Sequence, residues 1–362
     1  MTITTILFLI VGLLLLLGGA EFLVRGAARI ATAAGITPLV VGLTVVAFGT
    51  SSPEFSVSVM SAFKGQADLA LGNVVGSNIF NVLFILGLSA IIVPLVVAQQ
   101  LVRFDVPVMI GVSVLVFLLG MDGMIGRVDG IVLFAGIIAY TVFLIVQSRK
   151  ETSAEVKTEY DEMVGAKGDA KNWIANIGLV LIGLVALVGG SKLLVDAAVT
   201  IARSWGVSEL VIGLTIVAAG TSLPEVAASV MAAVKGERDI AVGNVVGSNI
   251  FNILSVLGLS SIVAPAGIPV SKAAVEFDIP VMIAVAVACL PVFFAGYRIS
   301  RVNGVCFLGF YVAYVVYLIF TATQHEALAT YRSALFYFVL PITAVTLVII
   351  TLRGFALRKQ AA

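Results

Sequence analysis

Gly42-Leu-Thr-Val-Val-Ala-Phe-Gly-Thr-Ser-Ser-Pro-Glu54 returns 171 residues later as Gly213-Leu-Thr-Ile-Val-Ala-Ala-Gly-Thr-Ser-Leu-Pro-Glu225. At the same offset Gly72-Asn-Val-Val-Gly-Ser-Asn-Ile-Phe-Asn81 recurs as Gly243 to Asn252, identical at all ten positions. Fainter echoes extend outward, with Phe104-Asp105-Val106-Pro107 in Phe277-Asp278-Ile279-Pro280 and Arg127-Val128-Asp129-Gly130 in Arg301-Val302-Asn303-Gly304. The chain is written twice, and the duplicated unit is much longer than a motif.

The surroundings say what is duplicated. Of 362 residues, 60% are apolar and 11% charged, and the mean hydropathy is +1.16. A water-soluble fold of this size could not hide so much apolar surface, so lipid is the expected solvent and partner. Eleven stretches, near 4–24, 38–63, 70–96, 105–121, 128–147, 173–195, 209–234, 240–264, 279–296, 302–320 and 333–352, approach or exceed the length a spanning helix needs, roughly 20 residues for a hydrocarbon core about 30 Å thick. Strand alternation is absent, which argues against a β-barrel. The duplication covers five of these helices per copy. An odd number of spans makes the second copy enter from the opposite face. The expected fold is an all-α polytopic membrane protein: two inverted five-helix repeats plus one extra C-terminal transmembrane helix. The corresponding boundaries are 1–147 for the first repeat, 148–172 for a polar tether, 173–322 for the second repeat, and 323–362 for a connector, the eleventh helix and a tail.

Met1-Thr2-Ile3 carries no basic side chain and its apolar run exceeds a cleavable core, so the first stretch reads as a retained helix. Cys289 and Cys306 lie inside apolar segments and the single histidine, His325, in a connector, which leaves neither a disulfide scaffold nor a His/Cys metal site. Alternating connectors give 6 Lys and Arg to the side of the N-terminus and 15 to the other; without the five of the tether the second figure is 10. The positive-inside bias then predicts a multi-pass protein of the cell inner membrane with the N-terminus outside and the C-terminus cytoplasmic.

A carboxylate at mid-membrane costs roughly 2.5–3.5 kcal/mol on insertion scales and tends to face a cavity or a partner. Glu54 and Glu225 both lie well inside predicted spans, with no Lys or Arg within several residues. Pro53 and Pro224 cannot donate a backbone hydrogen bond and free the carbonyls of Gly49 and Gly220 four residues back, so both helices should break there. Those carbonyls would join Thr50, Ser51 and Glu54 in one half and Thr221, Ser222 and Glu225 in the other. All the donors are oxygen, the preference of hard cations, and two carboxylates balance one divalent ion. The decapeptides add polar stripes at i, i+4, i+8: Asn73, Ser77 and Asn81, then Asn244, Ser248 and Asn252. Blander roles suit the remaining charges. Glu21 with Arg25 and Lys192 with Asp196 are spaced as i, i+4 ion pairs. Asp68 and Asp239 are placed to cap helices, and Asp105 and Asp278 to start them.

Inverted repeats, broken helices and ionisable groups at the repeat interface describe a secondary transporter working by alternating access. The chain has no G-x-x-x-x-G-K-[ST] loop, so an ion gradient is the expected energy source. With G-T-S-x-P-E and G-N-x-x-G-S-N-I-F-N in both halves, the sequence resembles the calcium/cation antiporter superfamily, in particular the prokaryotic sodium/calcium exchanger-like proteins, over ten of its eleven predicted helices. The resemblance implies exchange of inward Na+ for outward Ca2+. It implies that Glu54, Glu225, Thr50 and Thr221 hold Ca2+. Na+ would use the Ala47 carbonyl, Ser51 and Ser77 on one side and the Ala218 carbonyl, Ser222 and Ser248 on the other, with Asn81 and Asn252 central. Members of the family often carry Asp where this chain has Asn252, which removes one titratable group and leaves the counter-ion and stoichiometry open. Relatives that exchange H+ for Ca2+ provide the alternative, and Ser51, Ser77, Ser222 and Ser248 favour Na+, since a proton needs no oxygen pocket. A passive Ca2+ channel fits less well, because filters are usually rings of several subunits. An enzyme is not expected, since no nucleophile or water-activating metal set accompanies the carboxylates. Neither a cofactor nor a nucleic-acid partner is expected, and the sequence sets no oligomeric state.

Overall fold

The computed structural model describes residues 3–151, 172–207, 212, 215–216, 218–339, 341–349 and 352. In chain order, α1 covers Ile3–Ala34, α2 Pro38–Thr50, α3 Ser52–Phe63, α4 Ala67–Ile92, β1 Leu95–Val96, α5 Leu101–Gly120, β2 Met124–Ile125 and α6 Arg127–Glu151. The second half follows with α7 Trp173–Ser204, α8 Leu223–Val234, α9 Arg238–Val263, β3 Ile268–Pro269, α10 Ala274–Phe294, β4 Arg298–Ile299 and α11 Arg301–Ala322. A short helix, α12, runs Leu328–Ala334, and 341–349 are helical. Among the described residues eight helices are long and apolar enough to cross a membrane, and the bent pair α2 and α3 makes a ninth span. Parts of the predicted seventh and eleventh stretches, and residues 152–171 of the tether, lie outside the described residues.

Inversion is visible in the connectors. β1 and β2 lie at opposite ends of α5, whose 20 residues extend for about 30 Å. β3 is the repeat counterpart of β1, yet it pairs with β2, through Met124 with Pro269 and Ile125 with Ile268. Likewise β4, the counterpart of β2, pairs with β1, through Leu95 with Ile299 and Val96 with Arg298. Equivalent connectors therefore sit on opposite faces, called here the β1–β4 face and the β2–β3 face. The counterparts α1 and α7 run antiparallel in close contact. A Cβ added at Gly12 would lie 2.9 Å from the Gly190 oxygen, and one at Gly19 would lie 2.8 Å from the Gly183 oxygen. Only glycine permits backbones to approach this closely.

Both repeats depart from regular α geometry at matching places. One wide turn begins at Asn81 (Asn81–Leu86) and its mate at Asn252 (Asn252–Leu257); another pair covers Leu101–Asp105 and Ala274–Asp278. Such π-turns insert a residue and reorient what precedes them. Asp105 and Asp278 stand where regular α geometry begins, as the prolines after them suggested, but a π-turn precedes each, so α5 and α10 open four residues earlier; buried Asp105 accepts from Tyr140 at 2.9 Å. Asp68 and Asp239, expected as caps, instead stand within the first turns of α4 and α9, behind Gln66 and Glu237. Of the two expected ion pairs, Glu21 and Arg25 meet at 2.5 Å. Lys192 and Asp196, both exposed on α7, form no bridge.

Candidate functional site

The two proline-glutamate motifs meet at the centre of the bundle. α2 and α3 join at Ser51 with a bend of 50°. In the other half a turn at Thr221 and Ser222 separates the helical Ala218–Gly220 from α8. Proline in the first turn of α3 and of α8 explains where each break falls, since its ring suits a helix start and not an interior. Glu54 and Glu225 thus sit in first turns, at 1% exposure each.

Hydrogen bonds at the breaks cross between repeats. Ser222 Oγ donates to Glu54 Oε1 at 2.6 Å and lies 3.2 Å from Ser77 Oγ. Ser51 Oγ donates to Glu225 Oε1 at 2.8 Å. Each carboxylate is therefore held by the serine of the other copy. The hydroxyls of Thr221 and Ser77 lie near Glu54, that of Thr50 lies near Glu225, and the two carboxylates interact electrostatically.

The freed carbonyls behave differently from the expectation. Gly49 O accepts from the Ser52 hydroxyl and Gly220 O from Ser191 Oγ of α7 at 2.6 Å, so two hydroxyls not expected among the ligands take up both. Ala47 O receives the Ser51 amide at 3.0 Å; Thr50 Oγ1 lies 3.4 Å from Ala47 O and 3.2 Å from Asn244 Oδ1, and its single proton goes to the nearer acceptor, Asn244. Ala218 lies at the start of the equivalent turn.

Sequence reasoning missed Asn78 and Asn249, which lie off the i, i+4 stripe. They decide how the central amides point. Asn249 Nδ2 faces the Asn78 carbonyl at 3.3 Å, and a carbonyl can only accept. Asn249 Oδ1 is then the acceptor for Asn81, whose Nδ2 donates to it at 3.0 Å. By the same logic Asn78 Nδ2 faces the Asn249 carbonyl at 3.2 Å and Asn252 Nδ2 donates to Asn78 Oδ1 at 3.1 Å. Both central asparagines are left presenting oxygen. The only available signal was the identity of the whole decapeptide in both halves, this pair included.

Among the described residues six buried side-chain atoms of this cluster lack a hydrogen-bond partner: Glu54 Oε2, Glu225 Oε2, Asn81 Oδ1, Asn252 Oδ1, Thr221 Oγ1 and Ser248 Oγ. All six are oxygens. Each buried acceptor left unpaired costs about 1–3 kcal/mol, more if charged, so this concentration calls for an electropositive partner. The donor set fits a hard cation and offers neither nitrogen nor sulfur. No group of three or more His, Cys, Asp or Glu side chains forms a metal cluster among the described residues. The site relies on hydroxyls, amides and two carboxylates instead.

Known proteins share the sequence pattern and the fold of this chain. The profile of the sodium/calcium exchanger protein family matches residues 4–146 and 175–320. The inner membrane protein YrbG of Escherichia coli is 36% identical over 246 residues, covering 68% of this chain and 75% of YrbG. The sodium/calcium exchanger MaX1 of Methanosarcina acetivorans is 32% identical over 306 residues, covering 76% of this chain and 87% of MaX1. A solved structure of the sodium-calcium exchanger NCX_Mj, soaked with Na+ and Ca2+, superposes with a TM-score of 0.74 at 31% identity, over 87% of this chain and 99% of that one.

Proposed function

This chain belongs to the sodium/calcium exchanger protein family, and from that premise we propose that Glu54 and Glu225, with Thr50 and Thr221, hold Ca2+ in a secondary active Na+/Ca2+ antiporter. Na+ occupies the flanking pockets of the Ala47 carbonyl, Ser51 and Ser77 and of the Ala218 carbonyl, Ser222 and Ser248, with Asn81 and Asn252 between them. The observation that carries the reading is the cluster of six unpartnered buried oxygens, four of them carboxylate or amide oxygens, around one pseudo-two-fold axis.

The chemistry follows from the donor set. Two carboxylates neutralise a divalent ion, while hydroxyl and carbonyl oxygens suffice for a monovalent one. Because each carboxylate is bonded to the other repeat's serine, an ion that pulls on either glutamate pulls on both repeats. This is the coupling alternating access requires. The reading includes the division into repeats at 1–147 and 173–322, a tether at 148–172 and a terminal segment at 323–362; the two profile matches and the crossed β pairs support it. It also includes an inner-membrane location, with the β1–β4 face cytoplasmic. The excess of basic residues assigned to that side supports this, as does the kinship with an inner membrane protein.

The test is 45Ca2+ uptake into proteoliposomes loaded with Na+ and diluted into Na+-free buffer. Uptake should collapse without the Na+ gradient, and Glu54→Gln or Glu225→Gln should abolish it in folded protein. Uptake driven only by a pH step would assign H+ as the counter-ion, and transport surviving either glutamine variant would remove the two-glutamate site.

A further inference from the structure

Two identical decapeptides make identical local bonds but different bonds across the repeat. Asn73 Nδ2 donates to Ser58 Oγ at 2.9 Å and to the Glu54 carbonyl at 3.3 Å. Asn244 Nδ2 donates to Ser229 Oγ at 2.9 Å and to the Glu225 carbonyl at 3.5 Å. The carbonyl partner fixes both amides the same way round, leaving each Oδ1 as an acceptor. Asn244 Oδ1 receives Thr50 Oγ1 from the other repeat at 3.2 Å. The counterpart bond, Thr221 to Asn73, is absent, and Thr221 Oγ1 is buried without a hydrogen bond.

The same asymmetry runs along the helices. On the β1–β4 face α9 is sealed by α2: a Cβ on Gly243 would lie 3.0 Å from the Leu39 oxygen and one on Gly247 2.6 Å from the Leu43 oxygen. Ile240 is 0% exposed there. On the β2–β3 face the equivalent Leu69 is 57% exposed, Gly72 is exposed and Asn73 is half-buried. The threonine–asparagine bond is made where α9 is buried under α2 and missing where the equivalent stretch of α4 is exposed among the described residues; these are called the sealed and the open face.

We propose that Asn73 and Asn244 are positioning residues forming an alternating latch: each accepts the hydroxyl proton of the opposite repeat's threonine when its own face is sealed, Thr50–Asn244 in the observed state and Thr221–Asn73 in the opposite one. The latch deepens the transport reading above, since Thr50 and Thr221 are also its Ca2+ ligands. With its proton engaged by Asn244, Thr50 has its lone pairs free for a cation, so sealing a face and completing the ion's shell become one event. Pseudo-symmetry supplies the opposite state, because exchanging the roles of inverted repeats exchanges the faces.

The experiment reads conformation without Ca2+, so its outcome is independent of ion coordination. In a Cys289→Ala, Cys306→Ser background, Ile240→Cys reports the opposite state by its rate of reaction with a membrane-impermeant thiol reagent, in proteoliposomes whose β1–β4 face is accessible. Asn244→Leu should raise that rate and Asn73→Leu should lower it, each roughly two- to tenfold, the range for one hydrogen bond. A merely structural role would move both in the same direction. Thr50→Val, closer in shape, should raise the rate as Asn244→Leu does, and the double variant should add little. Shifts of the same sign in the two asparagine variants, no shift in either, or additive Thr50 and Asn244 effects would overturn the latch. A latch that fails while Na+-driven uptake persists leaves the transport reading intact; the converse failure leaves the latch.

Discussion

Asn81 and Asn252 differ from ordinary buried asparagines in having only one end satisfied. Each amide nitrogen is bonded to its neighbour from the other repeat, and each oxygen is buried and unpaired. The orientation is imposed by Asn78 and Asn249, whose own nitrogens are committed to main-chain carbonyls. Asn249→Leu would orphan one buried group, the Asn81 side-chain nitrogen, at about 1–3 kcal/mol, while the Asn78 carbonyl would keep the Asn81 backbone amide. It should lower the thermal unfolding midpoint of the purified protein and raise the KM for Ca2+, because the Asn81 amide is no longer held oxygen-inward. Unfolding at the parent temperature with an unchanged KM would mean that the amide is held by something else. The asparagine quartet also explains why Asn at 252 is compatible with a cation site. Its oxygen is pre-aimed, so electrostatic attraction is given up but geometry is not.

Helix packing separates glycines that look the same in the sequence. Gly76 and Gly247 occupy the same place in identical decapeptides, yet a Cβ at Gly247 would lie 2.6 Å from the Leu43 oxygen, while one at Gly76 meets no atom of the described residues within 4 Å. Gly247→Ala should therefore destabilise by about 1–3 kcal/mol, the usual cost of overpacking, and Gly76→Ala should leave the unfolding midpoint nearly unchanged. Equal losses in the two variants would mean that the sealed and open faces are not distinguished in solution. The sealed face also carries a bridge from Lys235 to Glu21 at 2.5 Å, and Glu21 holds Arg25 as well. Both partners of the Lys235 bridge remain 29% exposed, so water and salt screen it to about 0–1 kcal/mol. The buried Thr50–Asn244 bond is the stronger candidate for biasing the conformation. At the positions equivalent to Glu21 and Lys235 stand Lys192 and Lys64, which cannot form such a bridge.

Two inverted repeats give the protein two faces that are alike in backbone and unlike in charge. The β1–β4 face carries Arg25, Lys235, Arg298 and Arg301, the last donating to the Ile91 carbonyl at 3.0 Å; the β2–β3 face carries Lys64, Arg127 and Lys272. The orientation proposed from this imbalance is testable by thiol labelling in the Cys289→Ala, Cys306→Ser background. Gln66→Cys should react with an impermeant maleimide in intact cells, and Arg298→Cys only after permeabilisation. The reverse pattern would place the basic face outside and the direction of exchange would have to be rewritten.

Much of this was legible in the linear chain. Hydropathy marks helices because lipid solvates neither free N–H nor free C=O, and an odd number of spans per copy makes the copies inverted whatever their packing. The breaks at Pro53 and Pro224 are equally local, since a ring without an N–H disrupts a helix in any environment. Glutamates beside those breaks, with hydroxyls and amides one turn away, spell an oxygen site. Tertiary structure decided the exchange of partners between copies: Ser51 with Glu225, Ser222 with Glu54, and the quartet of Asn78, Asn81, Asn249 and Asn252. It sent the Gly49 and Gly220 carbonyls to Ser52 and Ser191, and it made the halves unequal. Identical decapeptides have identical local preferences, so no reading of them can say which threonine finds its asparagine. Only packing of one repeat against the other breaks that tie, because α9 is buried under α2 while Leu69, at the equivalent place on α4, is exposed.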